Sequence, residues 1–258
     1  MKKLKQQAVA YRTIIAIEIK RIFRIWPQTL LPPAITTILY FIIFGHVIGS
    51  RVGQMNGFPY IQYIAPGLMM MNIITSAYAS TVSGFFGAKF QRSIEEILVS
   101  SCASSTILLG YMSAGVMRGL LIGGIVLGIS LCFVSLPLHS TSVILAATFF
   151  SACIFSLAGI INAVFAKSFD DISIIPTFVL TPLTYLGGVF YSIALLPPVW
   201  RYLSLINPIV YLIDNFRFGF LGISSGHVLF SFLLMLVFLF LLTAIAYFLI
   251  KKGIGLRA

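Results

Sequence analysis

The residues able to do chemistry in this chain are few, and they cluster. No Asp, Glu, Lys or Arg occurs between Arg51 and Lys89, and after Glu96 the next is Arg118. Between those gaps, "GAKFQRSIEEILVSS" (residues 87–101) carries Lys89, Arg92, Glu95 and Glu96. As one helix, it would place Phe90, Ile94, Ile97, Leu98 and Ser101 on one face and Lys89, Arg92 and Glu96 on the other. Arg92 and Glu96 then stand at the i,i+4 spacing that allows a pair. Such a helix can lie under a membrane and present charge to a soluble partner; a solvated loop helix is the plainer alternative. Arg118 stands alone within an apolar run, beside Gly115, Gly119, Gly123, Gly124 and Gly128. At the middle of a span it would be costly and functional; nearer an end it would snorkel to the interface. The small residues allow close helix packing, within one subunit or against another.

No carboxylate pair, histidine cluster or activated serine lies inside an apolar run, which disfavours a membrane-embedded enzyme. His46, His139 and His227 are far apart, each near the end of an apolar run, as interfacial residues would be. Cys102, Cys132 and Cys153 form neither a disulfide framework nor a metal spacing. The phosphate-cradling pattern G-x-x-x-x-G-K-[ST] is absent. "KSFDD" (residues 167–171) reads as a charged turn, with Asp171 capping the helix that follows.

The elements that position these residues belong to a membrane. The 258 residues are 59% hydrophobic and 9% charged, against roughly 25% charged in soluble domains. A span needs about 20 apolar residues, and six runs qualify: 29–49, 60–83, 104–133, 141–166, 172–192 and 228–250. The class is all-α and polytopic, in one domain over 1–258. Seven of the 17 Lys and Arg fall in the first 24 residues, and Lys251, Lys252 and Arg257 close the chain. Their flanking positions fit the positive-inside rule better than nucleic-acid binding. Six spans then place both termini, with the 87–101 and 167–171 loops, in the cytoplasm. No removable signal peptide is expected. Residues 8–26 read as an amphipathic interfacial helix, with Tyr11, Ile15, Ile19, Ile22 and Trp26 apolar and Thr13, Lys20, Arg21 and Arg24 on another face.

Residues 194–222 are too broken by Pro197, Pro198 and Pro208 to span, and too apolar for a free loop. Trp200, Tyr202 and Tyr211 suit headgroup level, and Asp214 and Arg217 stand one turn apart and could pair. A hairpin that dips in from the outer face and returns satisfies these constraints. It would close the outer end of a path walled by Met69, Met70, Met71, Phe178 and Tyr185, which suits a lipophilic or lipid-linked substrate.

Leu180, Leu183, Leu186, Gly187, Leu196, Pro197, Pro208, Tyr211 and Arg217 resemble the signature of the ABC-2 type exporter permeases. The order of elements along the whole chain is similar to that family as well. The resemblance implies a bacterial inner-membrane permease, one half of a dimer, here a homodimer, joined by two copies of a separate ABC ATPase. ATP and Mg would be bound by that ATPase, and this chain would need no cofactor. It further implies a connecting helix at 8–26 and a coupling helix at 88–101, with Lys89, Arg92, Glu95 and Glu96 meeting the ATPase. At 194–222 it implies re-entrant outer helices, with Pro197, Pro198, Trp200, Asn207, Pro208, Tyr211, Asp214 and Arg217 at the gate. An ion-gradient-driven secondary transporter is the alternative, and only Arg118 speaks for it.

Overall fold

A computed structural model describes residues 2–100, 102–224 and 226–256. Ser101, placed above on the apolar face of the charged helix, lies outside them, as does the side chain of His46. Helix α1 covers Lys2–Arg24. Ile25 breaks it, and α2 runs over Trp26–Val52 with a π-helical stretch at Phe41–Ile48. Then follow α3 (Tyr60–Phe90), α4 (Ser93–Val99), α5 (Ser104–Phe133) and α6 (Thr141–Phe165). Next comes α7 (Asp171–Leu186), with its own π-helical stretch at Pro176–Leu180. Finally α8 (Pro198–Ile206), α9 (Pro208–Leu221) and α10 (Val228–Lys252) close the fold.

The all-α expectation needs one correction. Gln54–Met55 and Phe58–Pro59 pair antiparallel in a small hairpin. Its turn is Asn56–Gly57, both at positive φ (50° and 84°), the pairing that two-residue hairpin turns favour.

Helix α3 is the centre of the bundle. Ile64, Leu68, Met70, Ile74 and Phe85 are fully enclosed, and α5 and α6 flank it closely. Small residues permit the approach: a Cβ on Gly119 would meet Ala77, Ala152 and the Ile73 carbonyl, and one on Gly159 the Tyr78 carbonyl at 2.6 Å. Gly115, Gly119 and Gly123 therefore serve packing within the subunit, while Gly124 and Gly128 face open space.

Four helices among the described residues are long and apolar enough to cross a membrane: α2, α5, α6 and α10. Helix α3 is longer than any of them, at 31 residues, but Asn72, Ser76, Ser80 and Thr81 dilute its hydropathy. All four side chains are buried against neighbouring helices, where lipid does not meet them. Helix α7 is shorter than the run expected at 172–192. It ends at Leu186, and Gly188 at φ 77° turns the chain away. Outward faces of α2 and α10 expose Ile35, Leu39, Leu229, Leu233 and Phe240, as lipid-facing helices do.

The two ends of α3 organise the rest. Its last turns meet α1, α4 and the α6–α7 turn: Lys89 donates to the carbonyls of Val164 (2.7 Å) and Ala166 (2.6 Å). Its first turns meet the 187–192 loop and α9, with the Tyr60 hydroxyl donating to the Phe190 carbonyl at 3.0 Å. The turn between α5 and α6 lies at this second end, where His139 and Ser140 donate backbone N–H bonds to Gly219.

Candidate functional site

At the α4 end, the expected single helix over 88–101 is replaced by two. Helix α3 runs on through Phe90, and Arg92 adopts a left-handed conformation at φ 60°. The reversal turns α4 off the axis of α3 and breaks the expected i,i+4 geometry between Arg92 and Glu96. Lys89 is thus the last cation of α3 and is committed to two carbonyls. Burial pushes its ammonium below the usual lysine value; Asp171 opposes that shift and Lys167 adds to it. Ile94 anchors α4 with no exposed surface, whereas Phe90 and Val99 stand 62% and 88% exposed. Glu95 lines a small cavity with Lys89, Arg92 and Lys167. Glu96 points a different way, into a cavity of about 820 Å³ between α1 and α4.

That larger cavity holds the feature sequence reasoning missed. Glu18 is 5% exposed, and Arg21 donates to its Oε2 from Nε (3.0 Å) and Nη2 (2.6 Å). Arg21 also donates to the Ser83 hydroxyl and the Ser80 carbonyl, at 3.0 and 2.9 Å. Gly84 leaves the room, since a Cβ there would collide with the Glu18 carboxylate. The side of α1 against the bundle is therefore Tyr11, Ile14, Glu18 and Ile22, one step round from the stripe expected. Trp26 belongs to α2 and is exposed. Glu18 and Arg21 look like surface residues in sequence; only their i,i+3 spacing hinted at a pair.

Arg118 lies 14 residues into α5, about 21 Å along its axis at 1.5 Å per residue. Its side chain is half-buried, and Nε is enclosed with no hydrogen-bond partner.

Asp171 is not the N-cap expected: it is the first residue of α7, and its carboxylate reaches back along the chain. Its Oδ2 accepts from the backbone N–H of Lys167 and Ser168, and the Ser168 hydroxyl accepts from the Asp171 N–H. This is the reciprocal arrangement of a capping box. Those bonds, the Lys167 one first, hold the Asp171 carboxyl below its ordinary value.

At the other end, α8 and α9 form the helical hairpin. Pro197 and Pro198 start α8, which exposes Trp200, Tyr202 and Ile206. Asn207 caps α9: its Oδ1 accepts from Ile209 N–H (3.0 Å), and its Nδ2 donates to the Leu183 carbonyl (2.6 Å). Pro208 follows in the first turn, where its missing N–H costs nothing. The Tyr211 hydroxyl donates to the Leu205 carbonyl at 2.8 Å and ties the two helices together. Helix α9 is buried along most of its length.

Asp214 and Arg217 do not take each other as hydrogen-bond partners as expected. Arg217, 4% exposed, donates to Gly188 O (2.7 Å) and Tyr63 O (3.3 Å) and stacks over the Tyr63 ring at 4.0 Å. Asp214 accepts from the Ser224 hydroxyl at 2.9 Å. Of the expected path walls, Met69 and Met70 are buried inside the subunit; Phe178 and Tyr185 are exposed.

A family model described as "ABC-2 type transporter" matches residues 9–221, from α1 through the end of the helical hairpin. The chain belongs to the ABC-2 type transporter family. This permease is 56% identical over 250 residues to the inner membrane transport permease YadH of Escherichia coli strain K12, covering 97% of this chain and 98% of that one. It is 28% identical over 197 residues to Nodulation protein J of Sinorhizobium fredii, covering 74% and 73% respectively. Nodulation protein J of Rhizobium leguminosarum bv. viciae matches at 26% over 189 residues, 72% of each chain. The chain is thus the membrane subunit of an ABC transporter, a multi-pass protein of the inner membrane, and its partner is an ABC ATPase. Membership in that family removes the ion-gradient alternative.

Proposed function

We propose that this permease is one half of a homodimeric exporter of a lipophilic or lipid-linked substrate, driven by two copies of a separate ABC ATPase that bind ATP and Mg. The observation that carries the reading is α4. It is a short helix turned off the axis of α3 by a left-handed residue, with Phe90, Arg92, Glu96 and Val99 exposed around it. Exposed apolar side chains mixed with both charge signs suit a groove on a soluble protein. Helix α4 is then the coupling helix and α1 the connecting helix. The Glu18–Arg21 pair with Ser80 and Ser83 joins α1 to α3, so movement of either end helix is passed to the central one.

Helices α3 and α7 complete six spans with α2, α5, α6 and α10. Both termini then share the cytoplasmic side with α4, in keeping with the basic ends of the chain. The α8–α9 hairpin is re-entrant from the outer side and closes the path. Exposed Phe178 and Tyr185 on α7, and the apolar surface of α8, favour a substrate with an apolar part. No nucleic acid takes part; membrane lipids do.

The test is charge reversal on α4. The double substitution Glu95→Lys with Glu96→Lys is expected to insert normally in the membrane yet to lose ATPase in pull-downs or uncouple hydrolysis from transport. Wild-type values in both assays would reject α4 as the coupling element. For the gate, single cysteines at Trp200 and Tyr202, in a chain lacking the three native ones, should react with an impermeant reagent from outside. Asn207 is buried and is not a suitable reporter.

A further inference from the structure

Arg118 is a cation that the fold leaves unanswered. Its Nε is enclosed, and among the described residues neither a hydrogen bond nor an ion pair reaches its guanidinium. Arg21, a second cation, is near enough to repel it. Arg21 has its own partners in Glu18, Ser83 and the Ser80 carbonyl. Glu18 is therefore engaged, and the two arginines together keep one positive charge.

The depth of Arg118 follows from its neighbours. The first turns of α5 run beside α1: a Cβ on Gly110 would meet Ile14, and the Tyr11 hydroxyl lies by that of Ser113. Further along, α5 meets α3, with Gly115 against Thr81 and Gly119 against Ala77. Arg118 thus stands level with residues 77–81 of α3, about 27 Å from Tyr60 at 1.5 Å per residue. The hydrocarbon core of a bilayer is about 30 Å thick. On the six-span reading given above, with Tyr60 on the outer side, Arg118 lies at the cytoplasmic edge of the core. Charge placement agrees: no Asp, Glu, Lys or Arg occurs between Arg24 and Arg51, or between Arg118 and Lys167. Towards the outer side from Arg118, α5 offers apolar surface, with Leu120 exposed and Leu121 and Ile125 half-buried.

An occupant that answers Arg118 needs one negative charge at that depth and an apolar body beside it. A free anion has no hold on the apolar surface. A zwitterionic headgroup would bring an ammonium towards two arginines whose one nearby carboxylate is already engaged. We propose that Arg118 binds the phosphate of a singly anionic glycerophospholipid of the cytoplasmic leaflet, with an uncharged headgroup such as glycerol. The guanidinium fork matches the phosphate oxygens, and the acyl chains lie along α5 past Leu120 and Leu121. This is a resident lipid of the permease, held where α1, α3 and α5 come together, and it is separate from the transported substrate.

The experiment uses the full permease, delipidated in detergent, with binding read by native mass spectrometry. The probes are dioctanoyl phosphatidylglycerol, dioctanoyl phosphatidylcholine and glycerol 3-phosphate, the last an anion without chains. The glycerol lipid is expected to bind tightest. Arg118→Gln should weaken it about tenfold, the loss of one charge-assisted hydrogen bond, while Arg24→Gln on the exposed side of α1 should leave it within about twofold. Equal losses in the two variants would overturn the proposal in favour of diffuse attraction to a basic helix. Equal binding of the choline lipid would overturn it too, as would glycerol 3-phosphate binding as tightly as the lipid. Should Arg118→Gln not fold, phosphatidylglycerol carrying a photoreactive headgroup answers the same question on the wild-type chain: its crosslinks should fall within residues 113–122 or 21–29, and crosslinks elsewhere would reject the site. Binding in detergent does not depend on the number of spans, whereas the six-span reading is tested from outside at Trp200, so either can fail alone.

Discussion

Arg217 illustrates what a buried cation does in this fold. Its guanidinium joins the α3 carbonyl of Tyr63 to the loop carbonyl of Gly188 while its carbon sits 4.0 Å from the centre of the Tyr63 ring. A lysine can reach one of those acceptors but has neither the planar fork nor the flat face. Arg217→Lys is therefore expected to lower stability by about 1.5–3 kcal/mol, the range for a hydrogen bond to a charged group. Thermal unfolding in detergent reads this directly, and an unchanged midpoint would contradict the assignment. Sequence reading found Arg217 and Asp214 but gave them to each other, because i,i+3 neighbours are the only partners visible in a string. The actual acceptors lie 29 and 154 residues away. The burial of Glu18, which sequence shows only as an irregularity beside the apolar stripe of 8–26, is hidden for the same reason. Nothing local distinguishes a glutamate on an amphipathic helix from one that will be buried against Gly84.

Among elements, the long apolar runs were legible to within a few residues, since hydropathy sets both their existence and their length. Breaks were less so. Nothing in "KFQRSI" announces the left-handed Arg92, whereas the Asn-Gly pair of the small hairpin is a recognisable turn signal that was overlooked in a helical chain. Two predictions belong here. The Asp171 carboxyl is held below its ordinary value of 3.8, so its contribution is present above that value and lost as pH falls through the folded pKa. The unfolding midpoint of wild type should exceed that of Asp171→Ala near neutrality, and the gap should close as the buffer is acidified below about pH 4. A gap independent of pH would show that the ionised cap is not the cause. Gly67 is the second case: a Cβ there would meet the Val189 carbonyl oxygen at 2.8 Å and its Cα at 3.0 Å. Neither backbone atom can step aside as a side-chain tip can. Gly67→Ala should cost about 1–3 kcal/mol by overpacking and loosen the 187–192 loop, seen as faster hydrogen exchange there.

For the whole molecule, the chain is a transmission with no engine of its own. Purified alone it should show no ATP turnover. Co-expressed with its ATPase it should isolate as a two-plus-two complex, and native mass measurement of any other ratio would rule out the symmetric arrangement. One contact also bears on how the molecule is made. Gln7 Oε1 accepts from the Ala103 backbone N–H at 2.9 Å and from the Thr106 hydroxyl at 2.6 Å, 96 and 99 residues further along the chain. The Tyr11 hydroxyl lies 2.9 Å from that of Ser113. Helix α1 thus has its seat on a helix that leaves the ribosome much later. At about 5–20 residues per second, α1 waits many seconds with Ile14 and Ile22 uncovered and the Glu18–Arg21 pair unseated. Its own basic residues can hold it on the anionic membrane surface in the meantime, so the same charges would shelter the nascent chain.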